Sequence, residues 1–163
     1  MNIFVTVGTH LQGFERLIRE IDLLKANKKI NANIFAQIGH TKYTPIKIKF
    51  KKFLNEKEYI ENFKKSDIII SHAGAGTIIN AFQMNKKLII VPRLKKFNEH
   101  TDNHQLELAE ELQKKGKVIS VFNEKKLLEA IQKIKNKKNI KNKKTSKIIE
   151  TLNEWIKEIK LNK

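Results

Sequence analysis

Cysteine is absent, so neither a disulfide framework nor a thiolate zinc site can form, and an intracellular location is the simpler expectation. Long apolar runs are missing as well, none approaching the roughly 20 residues that a membrane-crossing helix needs. The opening MNIFVTVG has no basic stretch ahead of its short apolar run, which reads as a first strand and not as a signal peptide. No interior segment is rich in proline or serine and no repeat recurs, so 163 residues predict one soluble domain with a core of ordinary size.

Three chemical signatures are incomplete. Gly8 and Gly13 have Walker-type spacing, but Phe14 and Glu15 stand where Lys and Ser/Thr are required, which excludes a P-loop. Gly74-x-Gly76 starts like a dinucleotide fingerprint, yet Ile79 holds the third glycine position, which argues against a nicotinamide enzyme. His100 and His104 lie four apart, near Glu99 and Asp102, in a spacing that would share a helix face. Without the HExxH order or a third ligand they point to phosphate or sugar hydroxyls before a metal.

Acidic residues are scarce: 17 Asp and Glu face 34 Lys and Arg, giving a net charge of +17. Such a balance can mark nucleic acid, an anionic membrane surface or a phosphorylated substrate as a partner. Nearly all the cations are lysine, abundant with Asn and Ile throughout, which looks like a residue-usage bias. No RNP-like motif or zinc finger is present, so nucleic acid is disfavoured and attraction to an anionic membrane remains open.

What is present centres on Asp67 to Met84, DIIISHAGAGTIINAFQM. Ile68, Ile69 and Ile70 suit a buried parallel strand, Gly74 and Gly76 permit a tight turn, and a helix pattern follows from about Thr77. The helix would aim its unpaired N–H groups and positive dipole end at the mouth of the turn, as a phosphate site requires. Around this unit, strands are expected at 3–7, 34–38, 46–53, 88–91 and 118–121. Helices are expected at 14–24, around Tyr59 to Phe63, at 101–115 ended by Gly116, and at 124–134. Repeated βα units predict an α/β, Rossmann-like parallel sheet flanked by helices. Ligands of such folds gather beyond the strand ends. The residues there are Gly8-Thr9-His10, Gly39-His40, His72 to Gly76, and Pro92-Arg93.

The tail differs. KIKNKKNIKNKKTSK, from Lys133 to Lys147, reads as a solvated linker, and Ile148, Ile149, Leu152, Trp155, Ile156 and Ile159 then recur at helical spacing. The division is a domain over 1–135 and, over 136–163, a Lys-rich linker with an amphipathic helix packing on the domain or on a partner.

GTHLQGFERL, QIGHTKYTP, SHAGAGTIINA and VPRLKKFNEHTDNHQLELAEEL together resemble the carboxyl-terminal domain of family 28 glycosyltransferases. They are similar, more narrowly, to its free-standing small subunits, and the resemblance spans roughly residues 2 to 122. It implies the fold of the C-terminal half of a GT-B glycosyltransferase and a donor-binding, catalytic role in an inverting hexosyltransferase. That enzyme would move a sugar from UDP-N-acetylglucosamine, UDP-galactose or UDP-glucose to a lipid-linked saccharide in polysaccharide or glycan synthesis.

Residue by residue, the resemblance puts Gly8 and Thr9, with His10, in the loop at the diphosphate and counts Gly39, at the end of another strand, among the UDP-sugar-binding residues. It puts His72, Ala73, Gly74, Ala75, Gly76 and Thr77 at the phosphates, and Asn103, His104 and Gln105 at the donor sugar. Related enzymes keep a glutamate for the ribose hydroxyls where this chain has Asn80. His10 is the candidate general base on this chain, a role the partner can also fill. No metal or cofactor is implied. The implied partners are the UDP-sugar, the lipid-linked acceptor and a membrane-anchored subunit holding the acceptor site, which would keep this chain at the cytoplasmic face of the membrane. A non-catalytic subunit that stabilises or activates a partner transferase is the alternative.

Overall fold

The computed structural model describes residues 1–116 and 118–136, so the expected helix at 148–159 and most of the Lys-rich linker lie outside the described residues. Six strands form one sheet in the order β3-β2-β1-β4-β5-β6, every neighbouring pair parallel. They are β1 (Asn2–Thr6), β2 (Asn33–Gln37), β3 (Lys49–Lys51), β4 (Ile68–Ser71), β5 (Lys87–Ile90) and β6 (Ile119–Ser120). The connecting helices are α1 (Glu15–Ala26), α2 (Glu56–Lys65), α3 (Ala75–Gln83), α4 (His104–Lys114) and α5 (Leu127–Asn136). This is the expected Rossmann-like sheet, with its order reversing between β1 and β4.

Both faces of the sheet are covered, which explains why the central strands are continuously apolar. Ile3, Val5, Ile68 and Ile70 pack on one face with Leu17, Ile18 and Ile21 of α1 and Ala130, Ile131 and Ile134 of α5. Phe4, Ile69, Leu88 and Ile90 point the other way, to Phe63 of α2, Ile78, Ala81 and Phe82 of α3, and Leu108, Ala109 and Leu112 of α4. Ile69 and Ile70 are wholly buried; a side chain of that size contributes roughly 1.5–3 kcal/mol when removed from water. A capping box starts α2, where Asn55 Oδ1 accepts from Glu58 N at 2.9 Å and Glu58 Oε2 accepts from Asn55 N at 3.2 Å.

The expected strand 46–53 contracts to Lys49–Lys51. Asp22 of α1 is the reason. Its carboxylate accepts from Ile46 N at 2.9 Å, Lys47 N at 2.7 Å, Ile48 N at 3.1 Å and Tyr43 Oη at 2.7 Å, so these amides serve a side chain instead of a ladder. Burial raises the Asp22 pKa, but the bonds from Ile46, Tyr43, Lys47 and Ile48 outweigh it and hold the carboxyl below its ordinary value. Two helices also start later than the period suggests. His100 lies in the loop before α4 and not on its face with His104, and a 3₁₀ turn at Glu124–Lys126 precedes α5. In the other direction, α3 starts at Ala75, two residues before the expected Thr77.

Replacing Asp22 by alanine strands several backbone donors. Asp22→Ala is expected to lower the unfolding free energy by about 2–4 kcal/mol in chemical denaturation, and a loss under about 0.5 kcal/mol would show that the 46–48 amides find water at no cost.

Candidate functional site

Beyond the carboxyl ends of β1 and β4, where the strand order reverses, lies a cleft of about 630 Å³. Gly8 follows β1 with φ +73°, and a Cβ there would come within 2.7 Å of His72 Cε1. A Cβ at Gly74 would collide with the same ring at Nε2. The two glycines therefore let the backbone close on the Cε1–Nε2 edge of the His72 imidazole. Gly74 is also the N-cap residue of α3 and offers no side chain to bond the first turn. The first intrahelical bond runs from Ile78 N to Gly74 O at 3.2 Å, so the amides of Ala75, Gly76 and Thr77 are left over at the helix end. With the helix dipole behind them they form an anion cradle.

His72 is neutral at pH 7. Burial, and next the positive charge of Arg93, push its pKa down to about 4, against a raising contribution from its bond to the Thr6 carbonyl. Its Nδ1 is 3.3 Å from Ser71 Oγ. Across the cleft the Tyr59 hydroxyl donates to Thr77 Oγ1 at 3.3 Å and also bonds the Asn80 side chain. Burial raises the Tyr59 pKa, so this hydroxyl keeps its proton and remains a donor.

The two loops that flank the cleft are joined from below by Arg93, which is wholly buried. Its Nη1 donates to Gln12 O at 2.8 Å, Gly13 O at 2.8 Å and Glu99 O at 3.0 Å, and its Nη2 to Val7 O at 2.8 Å. Burial lowers its pKa to about 10 while Glu99 and Glu15 pull it back up, so it stays charged at neutral pH. The Glu99 carboxylate is engaged by Arg16, at 2.7 Å from Nε and 3.0 Å from Nη2, and by Leu94 N at 3.0 Å. Both guanidinium groups approach the Phe14 ring, Arg93 at 4.9 Å and Arg16 at 5.0 Å from its centroid. Glu15, in the Walker hydroxyl position, accepts from Lys42 N at 2.8 Å instead of holding a metal-bound phosphate.

Of the residues singled out in the sequence, Gly8, Thr9, His10, His72, Gly74, Ala75, Gly76, Thr77, Asn80, His100 and Gln105 line this one cleft. Gly39, Ala73, Asn103 and His104 stand behind or beside it. Gly39, at φ +53°, lies so close to Gly8 that a Cβ would sit 2.8 Å from its carbonyl oxygen. Ala73 is buried, and Asn103 Oδ1 accepts from Lys95 N at 3.3 Å. His104 Nδ1 is 3.0 Å from Asp102 Oδ1. Sequence reasoning missed Thr6, Gln37, Leu54, Glu56 and Tyr59, which also line the cleft. Thr6 and Gln37 end β1 and β2, so extending the strand-end rule by one residue finds them; α2 carries its residues in from across the sheet, which no local pattern reveals.

A family model described as glycosyltransferase family 28 C-terminal domain matches residues 2–159, beyond the stretch that carries the visible motifs. The human UDP-N-acetylglucosamine transferase subunit ALG13 is 35% identical over 123 residues, 70% of this chain and 10% of that protein. The chain thus spans about a tenth of the length of this relative. Among solved structures, an NMR solution structure of ALG13 has a TM-score of 0.59 at 19% identity, covering 93% of this chain and 94% of that one. The crystal structure of Acinetobacter baumannii MurG has a TM-score of 0.56 at 20% identity, covering 83% of this chain and 41% of that one. At these identities the two structures speak for the fold, that of the C-terminal half of a GT-B glycosyltransferase.

The low pKa of His72 sets a pH dependence. The unfolded chain binds a proton there below about 6.5 while the folded chain resists until about 4, so stability falls as pH drops through that window. Between pH 7 and pH 4.5 this one residue is expected to remove about 2 kcal/mol, measured as the part of the wild-type loss that disappears in His72→Asn. Equal losses in wild type and variant would place the titration elsewhere.

Proposed function

The chain belongs to the glycosyltransferase family 28 C-terminal domain family, and from that premise we propose that it is the donor-binding, catalytic subunit of an inverting hexosyltransferase. The observation that carries this reading is the convergence on one cleft of the Gly8 turn, neutral His72 and the open amino end of α3. A nucleoside diphosphate fits that chemistry: several neutral N–H donors and a helix dipole, with no carboxylate among the cradle residues. The donor is a UDP-sugar, UDP-N-acetylglucosamine or else UDP-galactose or UDP-glucose. The acceptor is a lipid-linked saccharide.

In the transfer, an acceptor hydroxyl oxygen forms a bond to the anomeric carbon as the bond from that carbon to the UDP oxygen breaks, inverting the centre. The acceptor proton passes to a general base, either His10 here or a group on the partner. Negative charge gathers on UDP. The amides of Ala75, Gly76 and Thr77 and the α3 dipole are pre-aimed at it, which makes the step metal-independent. Asn103, His104 and Gln105 serve the donor sugar, Gln105 from within the cleft and the other two from beside it.

A donor half needs an acceptor half. Among the described residues no helix is long and apolar enough to cross a membrane. The reading therefore includes a membrane-anchored partner subunit that holds the acceptor, with this chain peripheral at the cytoplasmic face. One observation favours a second reading, a non-catalytic subunit that stabilises or activates a partner transferase. The Asn80 side chain is bonded to Tyr59, and as a neutral amide it grips ribose hydroxyls less firmly than a carboxylate.

Two experiments separate these readings. Co-expressed with its partner and supplied with several UDP-sugars, the catalytic subunit is expected to lose transfer about a hundredfold when His72→Ala and Thr77→Ala are combined; unchanged transfer supports the accessory role. Asn80→Glu is expected to tighten UDP binding by about tenfold in calorimetry, and weaker or equal binding removes Asn80 from the ribose site.

A further inference from the structure

At the mouth of the cleft the rings of His10 and His100 stack, with centroids 4.8 Å apart and planes 25° from parallel. They come from different loops, one after β1 and one after β5, which Arg93 ties together through Gln12 O and Glu99 O. Both imidazoles line the cleft, yet their Nδ1 atoms have different surroundings. His10 Nδ1 accepts from Gln12 N at 3.4 Å, so the neutral ring carries its proton on Nε2 and is already a donor.

His100 Nδ1 accepts from Asp102 N at 3.3 Å and lies 3.0 Å from Asp102 Oδ1. The neutral ring therefore also carries its proton on Nε2 and leaves its Nδ1 lone pair facing a carboxylate. As an imidazolium it donates from both nitrogens, to Asp102 on one side and to an anion on the other.

His10 stacks on His100, and His72 and Arg93 lie nearby; Asp102 is shared with His104, and the neighbouring Glu99 with Arg16. An incoming diphosphate brings negative charge to the Nε2 side of a ring that already has the Asp102 carboxylate on its Nδ1 side. We propose that His100, positioned by Asp102 and stacked on His10, takes up a proton as the donor's diphosphate enters and holds it as a charged donor to the phosphate oxygens. His10 then serves as the neutral second donor, and the general base falls to the partner subunit. This inference rests on the UDP-sugar reading of the cleft.

Calorimetry of the full chain with UDP, in buffers of different ionisation enthalpy, reads the proton directly. Between pH 7 and 8.5 the wild type is expected to take up most of one proton per UDP, with affinity falling by up to about tenfold per pH unit. His100→Gln should abolish the uptake and weaken binding. His100→Lys should restore binding without uptake, which a merely structural role would not produce. Asp102→Asn, whose amide oxygen can still cap the His104 N–H, should reduce the uptake.

UDP binding with no uptake, or uptake that persists in both His100 variants, overturns the inference and leaves the UDP-sugar reading standing. No UDP binding at any pH overturns both. Should the variants fail to fold, the His100 ring titration of the wild type followed by NMR decides: a midpoint raised by UDP supports the inference, and an unmoved one ends it.

Discussion

Everything at the cleft depends on a buried positive charge. The Arg93 guanidinium, with no access to solvent, holds four carbonyl oxygens, from Val7, Gln12, Gly13 and Glu99. Three belong to the loop after β1 and one to the loop after β5, so a single planar fork fixes the distance between two loops that share no ladder. A lysine could not replace it, because a single ammonium nitrogen cannot stand both where Nη1 meets Gln12, Gly13 and Glu99 and where Nη2 meets Val7. Removing one partner of such a buried charged network costs roughly 3–5 kcal/mol, enough to threaten a domain of this size. The Arg16–Glu99 pair holds the same loop, and both Arg16 and Arg93 approach the Phe14 ring.

That clamp has electrostatic consequences one layer up. Its charge adds to burial in keeping His72 neutral, so the ring beside Gly8 and Gly74 is a neutral neighbour of the α3 amino end. What the described site offers an anion is chiefly oriented dipoles, while a net charge of +17 acts mainly at long range. Many lysines are occupied elsewhere. Lys86 Nζ donates to Ser66 O at 2.8 Å and Lys87 Nζ to Lys135 O at 3.0 Å, capping helix and loop carbonyls at the opposite end of the sheet.

Much of this was legible in the chain. Isoleucine runs, glycine turns and alternating periods identified the parallel sheet, and the residues just past β1 and β4 proved to be neighbours because those strands pair in register, Thr6 opposite Ser71. Other features were hidden for physical reasons. The period-two pattern of Ile46 to Phe53 mimicked a long strand, but Ile46 and Phe53 are exposed and the amides of Ile46, Lys47 and Ile48 bond Asp22. Tyr59 reaches Thr77 across the gap between two helices, and no spacing in the sequence encodes that contact. Arg93 stood in a position that suggested ligand binding. Its value lies beneath the site, where burial turns a ligand-type residue into the fastener of the loops.

On the proposed reading an anion of nucleoside diphosphate type enters at the β1/β4 switch point and not at the lysine-lined hollow of about 540 Å³ at the other end of the sheet. An amide NMR titration with UDP distinguishes the two. Shifts are expected to concentrate on Gly8, Thr9, Gly74, Ala75, Gly76, Thr77 and Gln105; shifts centred on Asp67, Lys86 and Lys87, or none at saturating UDP, would rule the switch-point site out.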